Sequence, residues 1–158
     1  MFPLAGILSS ATPREGDVVP DFQCTDTEGR TLSLSALLTQ GPVVVAFFPK
    51  AFTSVCTREL KGYRDRHEEL TQAHGQVLAV SMDDAETMRR FKESLGAPFT
   101  FVPDPEGTLV RLFDVKMPLL SMPRRYTFVI GEGRKVLKVE AGSDAADPLG
   151  AIGACAVK

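Results

Sequence analysis

The sequence has few cysteines, few histidines, little net charge and no long apolar run, and each scarcity excludes something. Three cysteines are a small and odd number, unlike the paired, cysteine-dense frameworks of small secreted proteins. The two histidines, His67 and His74, show no metal-ligand spacing with any cysteine, so neither a metal nor another cofactor is expected. A formal net charge of -2 gives no electrostatic reason to expect nucleic acid or an anionic membrane as a partner. No uninterrupted apolar stretch approaches the roughly 20 residues of a membrane-spanning helix. The opening stretch "MFPLAGILSSATPREG" is mildly apolar, but it lacks a basic start, contains Pro3 and Gly6, and has no clear Ala-x-Ala cleavage site. A cytoplasmic location is expected.

What is present is the composition of an ordinary soluble globular protein, 44% hydrophobic and 24% charged. The 158 residues suffice for one domain, spanning 1–158, that buries its core without staples. Short apolar runs alternate with amphipathic segments, which predicts an α/β architecture. "GPVVVAFFP" is a continuous apolar run between breakers, as in a strand buried on both faces. "QVLAVS" and "TFVI" read the same way, whereas "KVLKVE" alternates and should be half exposed. The "GEGR" between the last two predicts a hairpin.

From about Cys56 to Ala73, the residues Cys56, Leu60, Tyr63, His67 and Leu70 recur on one helical face. A second helix should be capped by Asp83, with Glu86 three residues on, should turn Met88, Phe91 and Leu95 inward, and should stop at Gly96. Shorter helices are predicted over Ser35–Thr39 and from Pro148, with turns at "DTEGR" and "PDPEG". The central order is strand, helix, strand, helix, then a hairpin and a terminal helix.

The stretch "VVVAFFPKAFTSVCTREL" carries the chemistry. A buried strand broken at Pro49 feeds a helix whose first turn sits at the end of the sheet, where open α/β folds place their sites. Cys56 falls in that turn, near free backbone N–H groups and the positive end of the helix dipole, which favour the reactive thiolate. Arg58 would add to this if it faces the sulfur. His67 lies about 16 Å along the helix and cannot serve as a base for Cys56. A thiolate held by dipole, hydrogen bonds and arginine suits redox chemistry better than acyl transfer. The plain alternative, a cysteine that only packs as a small apolar residue, is the commoner fate of a free thiol.

These residues resemble the peroxiredoxin family, whose signature Pro-x-x-x-Thr-x-x-Cys is matched by Pro49, Thr53 and Cys56. The resemblance extends over "REGDVVPDFQCTDTEGRTLSLSAL", over "VLAVSMDDAETMRRFKESLGAPFTFVPDPEGTLVRLFDV", and over "RRYTFVIGEGRKV", where Arg125 stands in the position of the catalytic arginine. It implies a thioredoxin-like fold, a central mixed β-sheet flanked by helices with an N-terminal hairpin. It also implies a thiol-dependent peroxidase, an antioxidant enzyme acting on hydrogen peroxide and organic hydroperoxides. Donors fixed where charge develops on the departing oxygen are usually the largest catalytic contribution. The resemblance gives that work to the Arg125 guanidinium, the Thr53 hydroxyl and the Cys56 N–H. Pro49 would shield the sulfur, and Glu59 would anchor Arg125. Taken singly, Pro49 reads as a strand end, Thr53 as a helix cap and Glu59 as an exposed or capping carboxylate. Strand parity groups Arg125 with Thr127 and Val129 and turns Arg124 to the other face.

Attack on peroxide leaves Cys56 as a sulfenic acid that needs a second thiol. One subgroup places a resolving cysteine five residues on, but Lys61 stands there, and the tail lacks the Val-Cys-Pro of the common dimeric subgroup. Cys24, in strand phase with Phe22, is expected in the core. Cys155, in the small-residue tail "DPLGAIGACAVK", is a candidate resolving residue if the tail unfolds readily, and otherwise a minor packing residue of the last helix. The alternative is direct reduction by thioredoxin or another small thiol. The family further implies a homodimer. A binding module or holdase on the same fold is a competing reading, which the pairing of Arg125 and Thr53 with Cys56 disfavours. A disulfide oxidoreductase would need Cys-x-x-Cys, where this chain has Thr53 in the first position.

Overall fold

The computed structural model describes residues 11–156. The stretch over 1–10, on which the reading against a signal peptide rests, lies outside the described residues. In chain order the elements are β1 (Gln23–Thr25), β2 (Thr31–Ser33), α1 (Leu34–Leu38), β3 (Val43–Phe47), α2 (Ser54–Asp65), α3 (His67–Gln72), β4 (Gln76–Ser81), α4 (Ala85–Leu95), β5 (Thr100–Pro103), α5 (Thr108–Leu112), β6 (Tyr126–Gly131), β7 (Lys135–Ala141) and α6 (Leu149–Ala156).

The β1–β2 hairpin stands apart from a five-stranded sheet of order β5-β4-β3-β6-β7. The sheet is mixed: β3 runs parallel to β4 and β4 to β5, while β6 is antiparallel to both β3 and β7. All of β3 is buried, because it is the central strand and both its faces are covered. On one face Val44, Val77, Ala79, Phe101 and Val129 pack under α2, α3, α4 and α6. On the other, Val43, Val45, Phe47, Val80 and Phe128 pack under α1, α5 and the residues around the hairpin. The strict alternation along β3 and β6 is the pleat expressed as two cores. Among the described residues no helix is long and apolar enough to cross a membrane.

The structure departs from the sequence expectations in five places. The predicted single helix from Cys56 to Ala73 starts earlier, at Ser54, and breaks at Arg66, whose φ of −108° and ψ of 21° are not helical. His67 therefore opens α3 rather than continuing the inward face of α2. The second helix is capped by Asp84, whose side chain accepts from the Thr87 N–H, and not by Asp83. Met88, Phe91 and Leu95 are inward and Gly96 ends the helix in the left-handed region, both as expected. The first short helix starts at Leu34, capped by the Ser33 side chain. The strand β5 and the helix α5 have no counterpart in the element order read from periodicity, because each is only four or five residues long. Cys24 is half-buried at the edge of the core that holds Val43, Val45 and Phe47 rather than within it.

Candidate active site

The parallel strands β3 and β4 end together, and Phe48 N–H still bonds to Val80 O before Pro49 stops the ladder. The loop that follows is held from below, since Ala51 N–H donates to Asp83 Oδ2 at 2.8 Å and Ser81 Oγ donates to the same oxygen at 2.7 Å. Phe52 takes a positive φ of 66° and leans on Phe91, with ring centroids 5.0 Å apart. Thr53, extended at φ −83° and ψ 155°, then caps α2. The first ladder bond of that helix is Thr57 N–H to Thr53 O, so the N–H groups of Ser54, Val55 and Cys56 all stand ahead of it. Cys56 is thus in the first turn, as expected, and its side chain is completely buried.

Arg125 reaches this sulfur from the residue before β6. Its Nη2 donates to Cys56 Sγ at 3.1 Å, and its Nη1 donates to Glu59 Oε1 at 2.6 Å. The guanidinium is only 12% exposed and the Glu59 side chain 0%. Burial works against the Arg125 charge, but the sulfur and the carboxylate outweigh it and raise its pKa. Burial pushes Glu59 up to about 7, against the pull of Arg125 and with the repulsion of Glu140. The sequence reading of Glu59 taken alone, an exposed or capping carboxylate, is corrected: it lies one turn past Cys56 on the inward face of α2. Strand parity holds for the two arginines. Arg124 turns away, donating to Asp114 O at 2.9 Å and covering the Tyr126 ring.

The remaining expected residues divide. Pro49 is half-buried at the strand end beside the loop. Thr53 is exposed, and its hydroxyl donates to Lys50 O at 2.9 Å, without a side-chain cap bond. With its proton on Lys50 O, this hydroxyl keeps its lone pairs for a further partner. Arg58 does not face the sulfur; it is exposed and lines an outer groove with Ser54, Thr57 and Lys61.

Cys155 is not on a loose tail. It is 2% exposed on α6, packed beside Leu70 and Gly75, and burial pushes its thiol up to about 11. Gly75 precedes Gln76, which pairs with Val43 at the start of β3, whereas Cys56 lies beyond the end of that strand. Four residues of strand separate those levels by about 13 Å. The structure does not bring the two sulfurs together. All three cysteines are free thiols.

Sequence reasoning missed Asp83 as the anchor of the loop, although the Asp83–Asp84 pair offered two acids for one cap. It also missed the buried polar company of Glu59. Tyr63, Thr127 and Glu140 all lie in phase with the site, on α2, β6 and β7 respectively.

A central mixed sheet with helices on both faces and a thiol at the first helix start after the central strand is the thioredoxin-like fold. Residues 16–139 match the AhpC/TSA family. A Mycobacterium tuberculosis protein that carries a peroxiredoxin name is 38% identical over 129 residues, which is 80% of this chain and 84% of that one. The chloroplast peroxiredoxin Q of Oryza sativa subsp. japonica is 36% identical over 118 residues, covering 73% of this chain and 54% of the rice protein. Among solved structures, peroxidoxin BcpB from Mycobacterium tuberculosis superposes with a TM-score of 0.84 at 35% identity, covering 90% of this chain and 96% of that one. The chain belongs to the AhpC/TSA family, the peroxiredoxins, enzymes that reduce peroxides with electrons from thiols.

Proposed function

We propose that Cys56 is the peroxide-reducing residue and that it accepts both hydrogen peroxide and organic hydroperoxides. The observation that carries this reading is the largely buried Arg125 guanidinium bridging Cys56 Sγ and Glu59 Oε1. The thiolate attacks the hydroxyl oxygen of the peroxide. A sulfur–oxygen bond forms, the oxygen–oxygen bond breaks, and its electron pair leaves with the departing oxygen, which takes a proton to become water or an alcohol. Cys56 is left as a sulfenic acid.

Arg125 is placed to do two things. Its charge favours the anionic sulfur, and its fixed N–H groups meet negative charge as it moves from sulfur to oxygen. The Cys56 N–H, ahead of the helical ladder, is a second donor at the same place. The Thr53 hydroxyl, with its proton on Lys50, offers a lone pair to the peroxide O–H and so orients it. Pro49 helps exclude water.

Regeneration by thioredoxin or another small external thiol fits the buried position of Cys155 better than an internal disulfide does. A first thiol condenses with the sulfenic acid and releases water, and a second thiol displaces the mixed disulfide. A Cys56–Cys155 bridge requires α6 to unwind. A single domain, a cytoplasmic location and a homodimer belong to the same proposal.

Peroxide consumption in the presence of a small dithiol tests it. Wild type should turn over and Cys56→Ser should not; equal consumption by both would remove Cys56 from the role. Mass mapping after one equivalent of peroxide then separates a lone sulfenic acid from a bridge to Cys155.

A further inference from the structure

Behind Arg125 lies a group of buried polar atoms that the reaction above does not use. Glu59 Oε2, Tyr63 Oη, Thr127 Oγ1 and Glu140 Oε1 are each shielded from solvent and have no hydrogen-bond partner among the described residues. More than nine in ten buried polar groups are normally paired, so four orphans in one place are an anomaly with a location. Glu59 and Tyr63 are a helical turn apart on α2 and both fully buried, and Thr127 is 1% exposed on β6. Thr127 stands directly opposite Glu140 in the β6–β7 ladder and two residues from Arg125 on the same face. The Tyr63 hydroxyl faces that of Thr127 without closing a bond. Glu140 then opens on a cleft of about 400 Å³ lined by Lys138, Ser143, Asp144, Asp147 and Gly150.

We propose that Glu59 and Glu140 hold a single proton between them across the unpaired Thr127 and Tyr63 hydroxyls, and that Glu140 is a positioning residue that sets the charge Arg125 meets on Glu59. Two carboxylates that share a poorly solvated space do not both ionise at low cost, and the pair titrates as a unit. When Glu59 carries the proton, Arg125 is committed to the sulfur. When Glu59 is ionised, two anions divide one guanidinium.

The groups around the pair support this assignment. Arg125 bonds Glu59 from the residue before β6, and the Glu140 charge on β7 acts on it in the opposite sense. Lys138 on β7 draws Glu140 toward the ionised form, whereas Asp144 and Asp147, on the segment before α6, oppose it along with burial. Cys155 on α6 belongs to the same buried cluster as Tyr63 and bears on its ionisation. The acidic residues at the cleft mouth therefore press the proton inward onto the pair, and Lys138 limits that pressure.

The proposal rests on the peroxidase reading only for its consequence at the sulfur, so its test is read without peroxide. Glutamate labelled with ¹³C at the side-chain carboxyl, assigned with Glu59→Gln and Glu140→Gln, reports each titration by NMR. In the wild type Glu59 should titrate near 7. Glu140→Gln, at a half-exposed position, should lower that midpoint by roughly one pH unit. Thr127→Val, of nearly equal shape, should move it by less in the same direction. The pH at which iodoacetamide alkylation of Cys56 changes slope should follow the Glu59 midpoint, which loss of packing alone would not produce. A Glu59 midpoint unchanged in both Glu140→Gln and Thr127→Val would overturn the proposal. Loss of peroxide turnover with the carboxyl coupling intact would fault the peroxidase reading alone.

Discussion

Two of the three thiols lie in one apolar cluster, yet their surroundings are opposite. Cys56 sits where a central strand ends and a helix begins, 3.1 Å from a guanidinium nitrogen and with its own N–H ahead of the helical ladder. Cys155 sits on the last helix among Leu70, Gly75 and other apolar neighbours, and burial alone acts on it, pushing it up to about 11. Under the proposed function, equal burial accompanies a reacting sulfur in one case and a packing one in the other. The difference lies in which polar groups the fold carries to that depth.

The largest effect should come from exchanging the sulfur itself. Cys56→Ser should abolish peroxide turnover, whereas Cys155→Ser should leave the first oxidation of Cys56 at its wild-type rate in stopped-flow peroxide consumption. A large loss of that first step in Cys155→Ser would erase the contrast between the thiols.

Next is the guanidinium. Arg125→Ala should slow the oxidation of Cys56 by roughly 10²–10³-fold, the scale of losing one preorganised donor, and Arg125→Lys should recover only part of it. The same readout with Arg124→Ala should stay close to wild type, since that side chain faces the other core.

Third is the effect of the buried carboxyl on stability. Glu59 is raised from 4.5 to about 7, so the folded state binds more protons than the unfolded one between those values. Its contribution to stability is complete below the unfolded value and is lost as pH rises through the folded one. Between pH 5 and pH 8 the wild type should lose on the order of 3 kcal/mol that Glu59→Gln does not lose. Urea denaturation of both proteins at the two pH values measures this; parallel losses would remove Glu59 as the source.

The smallest effect sharpens the comparison from the inert side. Cys155→Ala removes one buried sulfur from a packed helix and should cost about 1–2 kcal/mol in the same denaturation experiment. Alkylation of Cys155 in the wild type should proceed only at the rate at which α6 opens.

Much of this contrast was legible in the sequence on one side only. The apolar run ending at Pro49, the position of Cys56 at a helix start and the parity of Arg125 are local patterns, and each survives in the structure. The hairpin β6–β7 and the inward face of α4 were readable for the same reason. Glu59, read alone, was misjudged because a carboxylate near a helix start is usually solvated, and only tertiary contact with Arg125 makes it otherwise. The burial of Cys155 was one of two readings, since a glycine- and alanine-rich tail suits a loose end as well as a packed helix, and only the contact with Leu70 and Gly75 decides between them. Asp83 and Asp84 show the limit of local rules: adjacent acids offer equal caps, and the loop over Ala51 decides which one is left to cap.

Arg124 and Arg125 are chemically the same, so something other than side-chain identity chooses between them. The choice is made by registration: Tyr126 opposite Phe47 on one side and opposite Ala141 on the other fixes which arginine emerges above α2. Sliding that strand by a single position would send the needed cation to the far layer and deliver its neighbour instead. The placing of a cation beside the thiol therefore depends on a ladder of main-chain bonds that never touches it, and a one-residue slip of that strand would separate the two while every named residue stays in the sequence.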